Sequence, residues 1–313
     1  MNNPYKYSLD NKRYQTWNYY CLKHFGTKLA KVPLNAGFTC PNRDGTYSTH
    51  GCYFCPGNGI DDFPGDNDPD LLQQFNKRKQ VYLKKWPTAQ PQPYFQSYSN
   101  TYGSLEKLRQ TFEPFIADPR IQVLFIATRV DCLSDEIIEL LSHYNKEKEV
   151  WLELGIQSIH DDITKRMNCY HTFDQAKTVI SKLAKEKLHI TVHLINGLPG
   201  ESKEMMKENA SALNSLPINA VKFHNLLILK ESFLAKEYQK TPFPLLSKEE
   251  YFNIIVSQLE ILDPSFVIER VMSDAPLKEL IAPLWTREKI TSLNYLDQLL
   301  KQKNTWQGKS FQK

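Results

Sequence analysis

"FTCPNRDGTYSTHGCYFCPG", residues Phe38 to Gly57, holds three of the chain's six cysteines in one glycine-punctuated loop. Cys40, Cys52 and Cys55 form the pattern C-x11-C-x2-C, with Gly45, Gly51 and Gly57 freeing the backbone around them. Three thiolates can hold three irons of a [4Fe-4S] cube and leave the fourth iron open to another ligand. Glycine-rich backbone can also aim N–H groups at the sulfurs and stabilise the negative charge of such a cluster. A structural zinc site is closed and four-coordinate, so a zinc reading must find a fourth ligand. His50 is the nearest, but the second CxxC or HxxxH pair of a zinc ribbon is missing. Spacing alone leaves the cluster, zinc and unliganded structural thiols open. Cys21, Cys132 and Cys169 are scattered singly and read by default as small buried hydrophobes.

The surrounding chain reads as an α/β protein. Its 313 residues, 41% of them hydrophobic, suffice for one large α/β barrel or two ordinary domains. The strands expected are Lys31–Phe38, Pro93–Ser97, Gln122–Ala127, Glu149–Leu154, His189–Ile195 and Ala220–Asn225, most followed by a helical pattern. Ser104, Ser134 and Ser202 are the expected N-caps. Six such units form a partial (β/α)6 TIM-like barrel, whose chemistry sits at the C-terminal ends of the strands, where the cysteine loop falls. Residues 1–228 are the expected core domain and 229–313 a mostly helical C-terminal extension, with a short apolar run at Phe266–Ile268 and a last helix near Arg287–Lys301. Residues 57–70 are acidic and turn-rich, and the next stretch, LLQQFNKRKQVYLKKW, reads as an amphipathic helix with a basic face.

Lys plus Arg number 39 against 35 Asp plus Glu, a balance that permits a nucleic-acid partner without requiring one. The first residues lack the apolar run of a signal peptide, and no stretch approaches the roughly 18 uninterrupted apolar residues of a membrane span. A cytoplasmic location without membrane attachment is therefore expected. In that compartment clustered thiols are better read as ligands or reactive groups than as disulfides.

The second half of the loop, Cys52-Tyr53-Phe54-Cys55, resembles the CxΦC ending of the radical S-adenosylmethionine (SAM) motif. The long first spacing resembles the YtqA/YhcC-like subgroup, as do FQSYSNTYG, ATRVDCL, ELGIQS, HLINGLPGE and APLWTREK in their order along the chain. The resemblance implies a [4Fe-4S] cluster on Cys40, Cys52 and Cys55, with SAM chelating its open iron and being reductively cleaved to a 5′-deoxyadenosyl radical. It places Phe54 against the adenine, or as a shield between the cluster and solvent. Gln96, Ser97, Tyr98 and Ser99 occupy the place of the family's glycine-rich methionine-binding turn, and Asn100 assists or shapes that turn. Thr128, Arg129 and Asp131 reach the site, with Arg129 pairing a carboxylate or an internal acid. Glu153 and Gln157 stand where similar proteins hold the ribose, Glu153 alternatively being a partner of a lysine on a neighbouring strand. Ile195 and Gly197 resemble the adenine shelf, or are core and a tight turn. Two departures stand out: Asn168-Cys169-Tyr170-His171 replaces the usual N-R-x-H, and Val130 replaces a proline. Lys222 and His224 are the candidate catalytic substrate contacts, with His193 beside them; the alternative is a satisfied core group.

The same subgroup, with its MnmL-type members, implies tRNA wobble-uridine modification, 5-carboxymethylaminomethyl toward 5-aminomethyl. That implies tRNA as substrate, an external electron donor and a downstream SAM-dependent methyltransferase. Lys77, Arg78, Lys79, Lys84 and Lys85, and Lys301, Lys303 and Lys309, with Trp86 and Trp306, offer cations and stacking surfaces, or ordinary helix surface. The other function class is a zinc-stabilised, non-catalytic nucleic-acid-binding protein. No attached RNA-binding module is visible in the sequence.

Overall fold

Alternation of apolar and polar side chains along the strands sets the architecture. In the computed structural model, which describes residues 5, 12–56, 68–274 and 276–312, the strands are β1 (Leu29–Leu34), β2 (Gln90–Phe95), β3 (Val123–Thr128), β4 (Glu149–Gln157), β5 (His189–Asn196), β6 (Ala220–Asn225), β7 (Ile228–Leu229), β8 (Val267–Arg270) and β9 (Leu280–Ala282). The main sheet is parallel throughout, in the order β1-β2-β3-β4-β5-β6-β8, with β7 and β9 forming a separate antiparallel pair. The expected partial barrel is present, with one more strand than six. Phe266–Ile268, which looked like an isolated run, contributes to β8, and Ala220 of β6 lies opposite Val267. The segment beyond residue 229 therefore supplies a strand to the main sheet as well as helices.

On β5, Ile190, Val192 and Leu194 are fully buried in the layer between sheet and helices, whereas Thr191 and His193 turn into the barrel. On β6, Val221 and Phe223 face the helices and Lys222 faces the interior. The period of two thus sends apolar atoms outward, where packed helices exclude water. The helices begin where capping residues allow. Ser104, Ser134 and Ser202 accept bonds from the N–H groups of Lys107, Ile137 and Met205. Asp70 caps the helix Leu71–Lys85 through Leu72 and Gln73. Of the acidic stretch expected at residues 57–70, residues 57–67 lie outside the described residues.

The barrel interior is layered. At its N-terminal end Leu29, Phe125, Trp151, Ala220 and Val267 form an apolar plug, closed by Trp17 and Tyr20 of the helix Trp17–Phe25. Trp17 meets Trp151 edge-on, ring centroids 5.0 Å apart. Above the plug comes an ionic layer of Lys31, Glu153, Lys222 and Glu269, and above that the cysteine loop. Among the described residues no helix is long and apolar enough to cross a membrane.

Candidate active site

The cysteine loop leaves β1 and is fastened at several points. Arg43 and Asp44 donate their backbone N–H groups to the Cys40 carbonyl, and Cys55 donates its own to the Cys52 carbonyl. Arg43 clips the far end of the loop through Nη2, 3.3 Å from the Cys55 carbonyl and 2.7 Å from that of Pro56. Gly51 takes φ 74°, and a Cβ there would sit 2.7 Å from the Arg43 guanidinium, so this position accepts glycine alone without displacement. The segment Met167–Cys169 braces the loop from the other side. Asn42 Nδ2 lies 2.6 Å from the Asn168 carbonyl, and Asn168 Nδ2 lies 2.8 Å from the Gly51 carbonyl.

Cys40, Cys52 and Cys55 line one cleft of about 830 Å³, open solvent at its mouth included. That is room for a small molecule. A fourth cysteine lines it too: Cys169, 117 residues beyond Cys52 in the chain, places Sγ 3.4 Å from Cys52 Sγ. All six cysteines are free thiols. Hydrogen bonds from Cys169 and Cys55 hold the Cys52 thiol well below the usual range against the opposing effect of burial, with Arg129 and Asn42 also favouring the thiolate. A thiolate is the form that ligates iron. Among the described residues no three His, Cys, Asp or Glu side chains are set to hold a single metal ion. A cube spreads its ligands over different irons and has no need of that closer arrangement. His50, the fourth ligand a zinc reading would use, is exposed, lies outside the cleft lining and sits beside Ser48 instead.

Of the residues expected around SAM, Phe54, Gln96, Tyr98, Ser99, Thr128, Arg129, Glu153 and Gln157 line this cleft. The turn after β2 carries no glycine at its bend, yet Tyr98 takes φ 63°, the left-handed region that a glycine-rich turn would occupy without strain. Ser97 is buried outside the lining, its carbonyl accepting from Asn100 Nδ2 at 3.1 Å. Asn100 also bonds the Phe95 and Ala127 carbonyls and so shapes the turn. Thr128 Oγ1 lies 2.6 Å from Thr101 Oγ1. Arg129 pairs an internal acid in a fork, Nε and Nη2 lying 2.8 and 2.7 Å from the two oxygens of Asp131. Ile195 is buried in an apolar group that also takes in Phe54. Gly197 lies outside the cleft lining, at φ 90°, and forms a tight turn against Leu246.

Glu153 takes the alternative role, as partner of lysines. Its Oε1 accepts from Lys31 at 2.7 Å, and Oε2 meets Tyr94 at 2.6 Å, His193 at 3.0 Å and Lys222. Three of these four donors crowd Oε2, and Lys31 alone meets Oε1. Lys222 is likewise buried and committed to Glu153 and Glu269. Burial pushes its ammonium down to about 8 although Glu153 opposes the shift. His224 lies in neither the cysteine cleft nor the cleft described next; its Nδ1 is 3.1 Å from Ser273 Oγ, and its ring stands 5.1 Å from that of His193.

A second cleft, about 1360 Å³ with its open mouth, runs beside the edge strands β1 and β8. It is lined by Lys28, Lys31, Lys222, Arg270 and Lys289 and by aromatic rings that include Trp17, Trp86 and Tyr94. Gln96 lines both clefts. Trp86 is flanked by Lys28 and Lys85, 4.6 and 4.7 Å from its ring. Arg78, expected on a basic surface, is 1% exposed and donates to the Pro33 carbonyl at 2.8 Å, so it ties helix to sheet.

The residues that sequence reasoning left without a role are Asn42, Cys169 and His171. His171 is 4% exposed and lines the cysteine cleft. Its place in Asn168-Cys169-Tyr170-His171, where the family pattern is broken, was the available signal.

Residues 45–213 match the Radical SAM superfamily, and residues 218–302 the Radical_SAM C-terminal domain. The first match takes in Cys52 and Cys55 and begins after Cys40, so Cys40 joins the set by its position in the cleft. The YtqA protein of Bacillus subtilis (strain 168) is 38% identical over 313 residues, covering 100% of this chain and 97% of its own. A tRNA uridine(34) acetyltransferase of Methanocaldococcus infernus is 27% identical over 183 residues, 57% of this chain and 33% of that one. Among solved structures, the archaeal Methanocaldococcus infernus Elp3 lacking its N-terminus superposes with a TM-score of 0.67 at 17% identity, over 90% of this chain and 64% of that one. With the cysteine loop, the curled parallel sheet and these matches together, the chain belongs to the radical SAM superfamily, whose members use a [4Fe-4S] cluster and S-adenosylmethionine.

Proposed function

We propose that this protein is a tRNA-modifying radical SAM enzyme that converts the 5-carboxymethylaminomethyl group of wobble uridine toward 5-aminomethyl. The observation that carries the radical chemistry is the meeting of Cys40, Cys52 and Cys55 in a cleft whose other walls are the ends of β2, β3 and β4. Those three thiols would hold the cluster, and Phe54, Tyr98, Ser99, Gln157 and His171 surround the space left for SAM. When bound, the reduced cluster and SAM supply a 5′-deoxyadenosyl radical able to take a hydrogen atom from carbon.

The chain's own part is position and exclusion. Arg43 and Asn168 fix the loop, and the ionic layer with the aromatic plug beneath it closes the barrel to water from its N-terminal end. The substrate reading rests on the second cleft, where Lys28, Arg270 and Lys289 stand beside aromatic rings, the latter two sharing Asp274, while Lys31 and Lys222 are balanced by Glu153 and Glu269. An anionic, base-bearing substrate suits that lining, and it would reach the cysteine cleft past Gln96. Support from relatives is the similarity to a tRNA uridine(34) acetyltransferase. Loss of a hydrogen atom from the glycine-like CH2, then of one electron to an acceptor, and addition of water would break the C–N bond and release the two carbons as glyoxylate. SAM cleavage would require an external one-electron donor, and the amine product would suit a downstream SAM-dependent methyltransferase. Nucleoside mass spectrometry of tRNA from a strain lacking this gene tests the substrate. Accumulation of 5-carboxymethylaminomethyluridine is expected; unaltered wobble uridines would refute the tRNA assignment and leave the cluster chemistry standing.

A further inference from the structure

Three side-chain donors converge on one ligand sulfur. Asn42 Nδ2 is 3.3 Å from Cys52 Sγ, Arg129 Nη1 is 3.6 Å away, and the Cys169 thiol is 3.4 Å away. Cys169 is held there by its surroundings. Its N–H bonds the Thr164 carbonyl at 2.9 Å, closing the short helix Asp161–Arg166. The preceding residue, Asn168, at φ 58°, is cross-linked to the cysteine loop at both its carbonyl and its side chain. Among the described residues the Cys169 thiol has one other acceptor, the Met167 carbonyl at 3.9 Å, the long limit for a sulfur contact.

The sulfur–sulfur separation discriminates among roles. At 3.4 Å the pair is far longer than a disulfide, whose bond is about 2.05 Å. Cys55 also hydrogen-bonds Cys52, but it belongs to the CxxC pair of the loop, whereas Cys169 lies 117 residues beyond Cys52 and outside that motif. What remains is a thiol hydrogen bond onto a ligand sulfur, beside an amide and a guanidinium doing the same. Such donors stabilise the more negative, reduced cluster more than the oxidised one, and so raise its reduction potential.

We propose that Cys169 is a positioning residue whose thiol donates to Cys52 and, together with Asn42 and Arg129, raises the potential at which the cluster accepts its electron. This rests on the cluster reading above and extends it from ligand identity to control of the redox step. The pattern break at Asn168-Cys169-Tyr170-His171 is then the introduction of a sulfur donor.

The test is an anaerobic redox titration, followed by electron paramagnetic resonance, of reconstituted wild-type, Cys169→Ala and Cys169→Ser protein, with iron counted in each. The expected result is equal iron in all three, a more negative midpoint for Cys169→Ala, and recovery of most of that shift in Cys169→Ser, whose hydroxyl keeps a donor. Equal midpoints in all three would overturn the proposal, as would a loss of iron in Cys169→Ala, which would make Cys169 a ligand. Wild-type protein that takes up no iron would overturn the cluster reading itself, and the proposal with it.

Discussion

Lys31 on β1 reaches across the barrel interior to Glu153 on β4, Nζ to Oε1 at 2.7 Å, with both side chains largely out of water. Strands three positions apart in the sheet are thereby joined through its hollow. The same lysine pairs with Glu269 on β8, and Lys222 on β6 reaches both acids. Two cations and two anions balance in the middle of the barrel, and removing one leaves the others buried without compensation.

The Glu153→Gln variant is accordingly expected to lose roughly 3–5 kcal/mol of stability, the usual penalty for breaking a buried pair from one side. Urea unfolding monitored by tryptophan fluorescence reads this directly. Loss of less than about 1 kcal/mol would mean that water reaches this layer.

The acid limb of stability follows from the same layer. Burial works against the Glu153 and Glu269 carboxylates, but Lys222 and Lys31 outweigh it and hold both below their ordinary range. A depressed carboxylate contributes stability above its unfolded pKa of about 4.3, and that contribution is lost as pH falls through the lower folded value. The wild type is expected to lose stability below about pH 4 more steeply than Glu153→Gln, in parallel denaturation series at each pH. Curves of equal slope would contradict this.

Gly51→Ala tests the loop. The variant must place a methyl group against the Arg43 guanidinium in a backbone region costing of order 1–3 kcal/mol. Reconstitution should load much less iron than the wild type while the sheet, by circular dichroism, stays intact. Wild-type iron content would show that the loop needs no such close turn.

Replacing Arg270 by Glu reverses one charge at the second cleft, away from the cysteines. Binding of an anticodon stem-loop RNA should weaken several-fold, and more at low salt than at high, because the lost contact is to a phosphate or carboxylate. Release of 5′-deoxyadenosine without RNA should be unchanged. Unaltered RNA binding would move the substrate elsewhere.

Much of this was legible because local rules and tertiary demands agree. HITVHLIN alternates visibly, and its period of two told which atoms meet helices and which the barrel interior. Ser104, Ser134 and Ser202 stop the strand-to-helix loops where capping chemistry requires. The features that escaped were nonlocal. β8 is four residues long, and its place beside β6 depends on a partner more than 40 residues earlier. Arg78 looks like one more cation in a basic helix until its position against the Pro33 carbonyl is known. Glu153 carries the composition of a ligand contact, and only the arrival of Lys31 and Lys222 from other strands makes it a strut. Cys169 could not be joined to Cys52 by any spacing rule, since the fold alone closes the gap between them.

The chemistry stands on Cys40, Cys52 and Cys55 holding a cluster with one iron free for SAM. Its most direct test is electron paramagnetic resonance of dithionite-reduced protein reconstituted without oxygen, recorded with and without SAM and followed by assay for 5′-deoxyadenosine. A reduced [4Fe-4S] signal that shifts on adding SAM, with nucleoside release, is predicted, both being absent when any one of the three cysteines is replaced by alanine. A colourless protein that carries zinc, shows no signal and releases no nucleoside would contradict it.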